Sequence, residues 1–477
     1  RPAASRIRGG GAGCRAPLML LAEQNELSGA EAPPDYQGPV RVALLEGRGR
    51  GLVTTREVAA GETLLVSRAF ATGDLRTLVP NVARRLKEAC ARVRDQFLSL
   101  YDGTNGGELP PCGLFTPGPS PQDYMARTTQ VEPRRFKRIV ELNSHDLSDL
   151  HEQAGGRGDL MALWLLPSFM NHSCAPSVLT LHVGLEVVVF RAARGLAEGE
   201  ELTDSYTNLF CPQRQRQACL LEQKGFRCRC RRCHLEDGLD EAVACRLFTK
   251  IPSDLSNPGE VVRVLGKLEG EVDSFLGEQA FGMLHASFLP VYIHLANALE
   301  RQGEPGAADA YDKVAAVLDV ALPGSPYHVE FALRAAAARA RGASLPDAAL
   351  LRALRALGRA HALRFGGGAD KLRRRLAGRL PEPLLQAASG LSLFLRQRGS
   401  PADTQELLVV LPPEESWQGT ELLLGPEGAS AHCGGMEAQA AFPKLLQAAG
   451  PARYRRREHA VVVRLVEAAG SAGPRGP

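Results

Sequence analysis

Three thiols stand within six residues, at Cys228, Cys230 and Cys233, and a fourth, Cys174, lies within one domain's length upstream. Core packing alone gives no reason for that spacing. Thiolates so placed suit a tetrahedral Zn²⁺, which takes four soft ligands and keeps no open position when its role is structural. Such a metal would draw three segments together: the polar run Asn171-His172-Ser173-Cys174, the segment from Gly199-Glu200-Glu201-Leu202 to Tyr206, and the cysteine tail. The chain has 11 cysteines, an odd count, and the three in the tail are too close together for a secreted disulfide framework. A reducing intracellular compartment, cytoplasm or nucleus, is the expectation.

At 477 residues the chain has room for more than one domain and for sizeable cores. Its 57 basic and 53 acidic residues leave a net charge of only +4, which is no nucleic-acid footprint. Local basic runs occur at Lys371-Leu372-Arg373-Arg374-Arg375 and Arg453-Tyr454-Arg455-Arg456-Arg457. They read as a solvated helix face or as a docking surface for an acidic partner. The longest apolar stretch, Leu160 to Met170, is well short of the ~20 residues that span a bilayer, so no membrane helix is expected. Residues 1 to 16 hold Arg1, Arg6, Arg8 and Arg15 without an acid. They read as a disordered leader, with the end of an organelle transit segment as the other reading.

Alternating or β-branched runs mark strands at Val40 to Leu44, Leu52 to Thr55, Thr63 to Val66 and Leu185 to Ala192. Gly47, Gly49 and Gly51 read as a loop that lets backbone approach a ligand. Val58-Ala59-Ala60-Gly61-Glu62-Thr63-Leu64 echoes Leu196-Ala197-Glu198-Gly199-Glu200-Glu201-Leu202, which suggests two comparable corners of one small-sheet fold. Helical spacing covers Leu78 to Leu100, Arg135 to Leu142, Leu160 to Phe169, and Pro212 to Lys224 before Gly225. From about residue 239 the composition turns to Ala, Leu and Arg. Helix-length segments follow at 286–302, 305–321, 327–342 and 346–364, loosely resembling tetratricopeptide units.

The run from Asn171 to Cys174, the segment from Gly199 to Tyr206 and the Cys228-x-Cys230-x-x-Cys233 tail, taken together, resemble a SET-domain lysine methyltransferase with its post-SET tail. Asp35 to Val40, Gly47-Arg48-Gly49-Arg50-Gly51-Leu52 and Ala60 to Leu65 resemble the first strands of the same domain. Order and spacing most resemble the SMYD and TPR–SET proteins. Cys90, Cys112, His145 and His151 are spread too widely for the MYND zinc finger of the SMYD family. The resemblance implies an α+β fold: a β-rich SET domain of small sheets with a helical insertion and a post-SET zinc site, followed by an all-α TPR-like domain. The expected divisions are a leader at 1–35, SET segments at 36–73 and 160–209 around an insertion at 74–159, a zinc-binding segment at 210–238, helices at 239–450 and a tail at 451–477.

By the same resemblance, S-adenosylmethionine binds at Arg48, Gly49, Arg50, Asn171, His172, Tyr206 and Phe226. Tyr206 is the catalytic residue, and Zn²⁺ is held by Cys174, Cys228, Cys230 and Cys233. In the glycine loop, backbone groups are expected to matter more than side chains. Cys211 and Cys219 lack ligand spacing and read as buried thiols. Ser177 stands in Cys174-Ala175-Pro176-Ser177 where the family usually has Asn. The implied activity is methyl transfer to lysines of a protein substrate by a monomer, with a possible protein partner for the helical domain. Two other readings stay open: a SET-fold interaction module without activity, and a purely structural zinc protein.

Overall fold

The computed structural model describes residues 33–111, 113–115, 132–148, 158–237, 278–341 and 347–390, with most of 392–467 and a few single positions between. Residues 1–32 of the expected leader, Cys112 and the end of the tail lie outside the described residues. The chain divides into two compact units: residues up to Ala298 with 316–327, and 299–315 with the residues from His328 onward.

In the first unit, β2 (Val40–Leu45) and β3 (Gly49–Thr54) form a hairpin, with Leu45 opposite Gly49. Gly47 takes φ 65° in the turn, where a Cβ would be strained. Gly49 and Gly51 belong to the strand, so the expected glycine loop is shorter than the motif. β11 (Glu201–Asp204) pairs antiparallel with β3 and parallel with β8 (Asn171–His172). This order puts the glycine-rich strand, the Asn-His pair and the approach to Tyr206 side by side.

A second sheet runs β1-β4-β10-β9, built from Tyr36–Gln37, Thr63–Arg68, Val187–Ala192 and Val178–Val183. A third runs β5-β7-β6, from Ala71–Gly73, Met161–Leu163 and Ser144–Asp146. Leu52, Leu64, Val82, Phe97, Trp164, Phe190 and Leu202 share one core. Burying such a side chain stabilises by roughly 1.5–3 kcal/mol.

The two echoed corners meet. Val58 and Leu196 exchange backbone hydrogen bonds of 2.9 Å in each direction. Gly61 and Gly199 both take left-handed φ, 78° and 77°. Glu62 accepts from the Ala59 N–H and pairs with Arg56; Glu200 accepts from the Ala197 N–H and pairs with Arg194. Each glycine N–H also reaches the strand that precedes the other corner, Gly61 to Ala192 and Gly199 to Thr54.

The insertion begins with two helices rather than one, α1 (Leu78–Glu88) and α2 (Ala91–Leu98). The Arg94 guanidinium donates to the carbonyls of Leu86 (3.1 Å) and Lys87 (3.4 Å), closing the open end of α1. α3 (Pro133–Asn143) falls where a helix is expected. The expected helix over Leu160 to Phe169 is instead strand β7 and a 3₁₀ turn, Pro167–Phe169. β7 is paired on both sides, and Pro167 lacks the N–H a continuing helix needs.

Asp102 ties the insertion to the site. It accepts from the Thr104 N–H and hydroxyl (2.9 and 2.7 Å) and the Asn105 N–H (3.0 Å), and pairs with Arg135 (2.8 Å). Burial alone would raise this carboxyl, but the hydrogen bonds win and hold it at about 2, below the ordinary 3.8. A depressed carboxylate adds stability that is present above its unfolded value and is lost as pH falls through the folded one. With solvent screening of this partly hydrated carboxylate, the loss expected between pH 4 and 2 is about 1 kcal/mol. Urea midpoints across that range should fall by correspondingly less in Asp102→Asn; equal slopes in the two proteins would refute this role.

Downstream, helices lie at Leu289–Gln302, Ala307–Ala321, Pro326–Ala340 and Ala348–Phe365, close to the four expected segments. Asp347 caps the last, accepting from the Leu350 N–H at 2.8 Å. The helical region ends at Ser389, not at residue 450. Beyond it β12 (Ser392–Gln397), β13 (Thr404–Val410), β19 (Ala460–Glu467) and β17 (Leu446–Ala448) form a sheet in that order, with β18 (Arg453–Arg455) also on β19. β14 (Thr420–Leu424), β15 (Gly428–Cys433) and β16 (Met436–Ala441) form another. The all-α expectation for this domain is therefore corrected from Ser392 onward. Leu407, Val409 and Leu411 share a core with Val461, Val463 and Leu465, at the alternating spacing of a strand. Among the described residues no helix is long and apolar enough to cross a membrane.

Candidate active site and zinc centre

A cavity of about 800 Å³ opens in the first unit. Its wall includes Arg48, Gly49 and Arg50 of the hairpin, Asn171 and His172 of β8, Tyr206 beyond β11, and Phe226 beyond α4 (Gln213–Lys224). All seven residues expected to bind the cofactor thus meet in one place. The geometry refines what each can do. Asn171 donates its amide N–H groups to the Arg50 carbonyl (3.0 Å) and to Glu201 (2.9 Å), locking β8 against β3 and β11. Arg48 donates to the His172 carbonyl (2.8 Å) and pairs with Glu201 (3.0 Å). Arg50 is buried, reaching the Ser99 carbonyl (2.5 Å) and Asn105 (3.1 Å), with its guanidinium over Phe169. The arginine side chains are therefore structural parts of the wall.

His172 is 2% exposed, and both ring nitrogens face protein. Nδ1 accepts from the Tyr206 N–H (2.9 Å) and Nε2 faces Cys174 Sγ (3.3 Å). The histidine links the tyrosine to the cysteine centre rather than offering a free nitrogen to a ligand. The Tyr206 hydroxyl donates to the Met170 carbonyl. Burial, helped by nearby Asp204, pushes this phenol well above its ordinary 10, so it stays protonated and neutral.

The four Sγ atoms of Cys174, Cys228, Cys230 and Cys233 all lie within 4.8 Å of one another. Cys233 and Cys174 are 3.7 Å apart. A regular tetrahedron with Zn–S bonds of about 2.3 Å has sulfur edges of about 3.8 Å, so the donor set and its spacing fit Zn²⁺. A closed set of four thiolates leaves no position for water and marks the site as structural. Cys211 and Cys219 are half-buried, not fully buried as expected.

The shell around these sulfurs is the part that sequence reading missed. Gln217 on α4 clamps Cys228 by both backbone groups (2.9 and 2.8 Å) and reaches Cys233 Sγ (3.4 Å). Arg216, one residue earlier, donates to Cys174 Sγ (3.3 Å) and pairs with Glu236 of α5 (Arg231–Asp237). Arg232 shares that carboxylate (3.2 Å) and donates to Ser287 (2.8 Å). The two buried guanidiniums, less the one carboxylate they share, would offset about half of the net negative charge that four thiolates on a Zn²⁺ carry. Lys224, also unflagged, lines the cavity with Nζ 5.5 Å from the centre of the Tyr206 ring. Burial lowers its affinity for a proton.

The SET domain family matches residues 49–207, the span from the glycine-rich strand to just past Tyr206. The chain thus contains a SET domain. Proteins similar to part of this chain include ones named as lysine methyltransferases. Histone-lysine N-methyltransferase set5 of Schizosaccharomyces pombe is 40% identical over 128 residues, 24% of this chain and 38% of that protein. SET domain-containing protein SmydA-8 of Drosophila melanogaster is 33% identical over 108 residues, 22% and 23% of the two chains. N-lysine methyltransferase SMYD2 of Gallus gallus is 34% identical over 86 residues, 18% and 20%. The likeness therefore spans well under half of each of these relatives.

Proposed function

We propose that the protein transfers methyl groups from S-adenosylmethionine to lysine side chains of a protein substrate, in a reducing intracellular compartment. The observation that carries this reading is the single cavity where the glycine-rich strand, β8, Tyr206 and Phe226 converge. The sulfonium cofactor supplies a methyl group that is already activated, so the chain's task is alignment and exclusion of water. Phe226 offers a half-buried ring to a flat base, and the Asn171 amide holds the Arg50 carbonyl in the wall.

A lysine ammonium has an unperturbed pKa of about 10.4 and must arrive neutral to act as a nucleophile. The Tyr206 hydroxyl oxygen and the Met170 carbonyl face each other through one hydrogen bond. A neutral phenol in that place accepts from the amine and orients its lone pair without becoming a base. Protein relatives named as lysine methyltransferases and the shared SET domain support the substrate class.

The test is labelling of a whole-cell protein extract with radioactive methyl donor, followed by mapping of the modified residues. Transfer to lysine supports the proposal. Cofactor binding without any transfer would overturn it in favour of an interaction module, and no binding at all would leave a structural zinc protein.

His172→Ala gives a more local expectation. Because the ring bridges Tyr206 and Cys174, its loss should weaken both S-adenosylmethionine and zinc, each by about 10- to 100-fold. Calorimetry and chelator competition read the two effects separately. Weakening of the cofactor alone would contradict the bridging role.

A further inference from the structure

The wall of the cavity carries one sign of charge. Arg48, Arg50, Lys224, Arg227 and Arg229 line it, and among the described residues no aspartate or glutamate does. Carboxylates close to the wall have other duties: Glu201 is held by Arg48 and Asn171, Asp102 by Arg135 and the 104–105 backbone, and Asp204 by Thr180 and the Ser205 N–H. Arg48 and Arg50 are tied into the wall, whereas Arg227 and Arg229 are exposed, with no ion pair to any described residue.

Their placement follows from the cysteine centre. From Phe226 to Cys230 burial alternates: Cys228 is buried and Cys230 half-buried, while Arg227 and Arg229 are exposed. With the sulfurs gathered inward, the intervening arginines turn outward at the rim. Deeper in, Lys224 stands beside the Tyr206 ring.

We propose that this basic rim selects lysines flanked by acidic residues, and that Arg227, Arg229 and Lys224 are the specificity-determining side chains. The proposal rests on the methyltransferase reading above and names its substrate class: an acidic protein segment rather than a basic tail. A basic peptide would bring like charges together across the rim, which costs affinity and slows encounter, while an acidic one is steered in. Inside, the Lys224 cation disfavours an incoming ammonium and favours the neutral amine.

A peptide array tests it. Each peptide holds one central lysine, with flanks running from four acidic to four basic residues, and the full chain is the enzyme. Labelling at low ionic strength should rise with acidic charge, by on the order of tenfold or more between the extremes, and the slope should shrink at high salt. The double variant Arg227→Glu, Arg229→Glu should reverse the slope. The readout is the ratio between peptides, so a lower overall rate in the variant does not mimic the effect. A flat array, a slope that rises with basic charge, or a slope untouched by the double variant overturns the proposal. So does an array that stays blank. In each case the extract labelling shows separately whether the methyltransferase reading survives.

Discussion

A chain carrying Cys230→Ser is expected to hold zinc at least a hundredfold more weakly and to lose most S-adenosylmethionine binding with it. A structural zinc site contributes on the order of 10 kcal/mol, and a hydroxyl is a poor replacement for a thiolate. The coupling follows from geometry. Cys174 contacts His172, which holds the Tyr206 backbone, and Cys228 follows Phe226 by two residues. Without the metal the tail keeps its Gln217 and Arg216 contacts but loses the bonds that would join its sulfurs directly to Cys174 beside β8. Competition with a chelating dye reads the zinc, and calorimetry reads the cofactor. Wild-type zinc affinity in this variant would remove Cys230 from the ligand set.

Tyr206→Phe should lower the transfer rate by about 10²- to 10³-fold, the usual scale for losing one well-placed polar group at a reacting centre. Cofactor affinity should change little, because the ring stays and the His172 contact is made by the Tyr206 backbone. The parent hydroxyl stays protonated because burial pushes its pKa up. The pH–rate profile of the parent should therefore show no ionisation of Tyr206 on the alkaline side up to at least pH 10. A variant that turns over at the parent rate would show that the hydroxyl does nothing in the chemistry.

Much of this site could be read from the sequence because its parts announce themselves locally. Thiols at Cys228, Cys230 and Cys233 have few uses other than metal binding, and the sulfurs do gather with Cys174. The glycine-rich hairpin and the two Gly-Glu corners were visible because tight turns restrict residue choice. What stayed hidden lies on helices. Arg216, Gln217 and Glu236 look like ordinary polar positions of α4 and α5, and only the fold shows that they face sulfur and one another. Lys224, at the end of α4, reads as a helix-terminal cation until Tyr206 is seen beside it.

The fold was less legible in two places, each for a physical reason. Leu160 to Phe169 is apolar throughout, so period alone could not separate a doubly paired strand and a 3₁₀ turn from a buried helix. Beyond Ser389 the composition stays rich in Ala and Leu, and the alternation of Leu407, Val409 and Leu411 is masked by equally apolar neighbours. Leu408 and Val410 are buried too, so both faces of that strand are covered and no polar alternation survives.

The paired corners also govern how the protein can be made. Thr54 bonds to Ala197 and Glu200 across 143 and 146 residues of chain. On a ribosome adding about 5–20 residues per second, β3 and β4 emerge roughly 7–30 s before the strands that complete their sheets. During that interval β3 pairs only with β2 and β4 only with β1, so the edges that later take β11 and β10 stand open and Leu52, Val53, Leu64 and Leu65 lack part of their cover. Yield of the folded protein should therefore depend on translation speed and on chaperones that cover exposed strands.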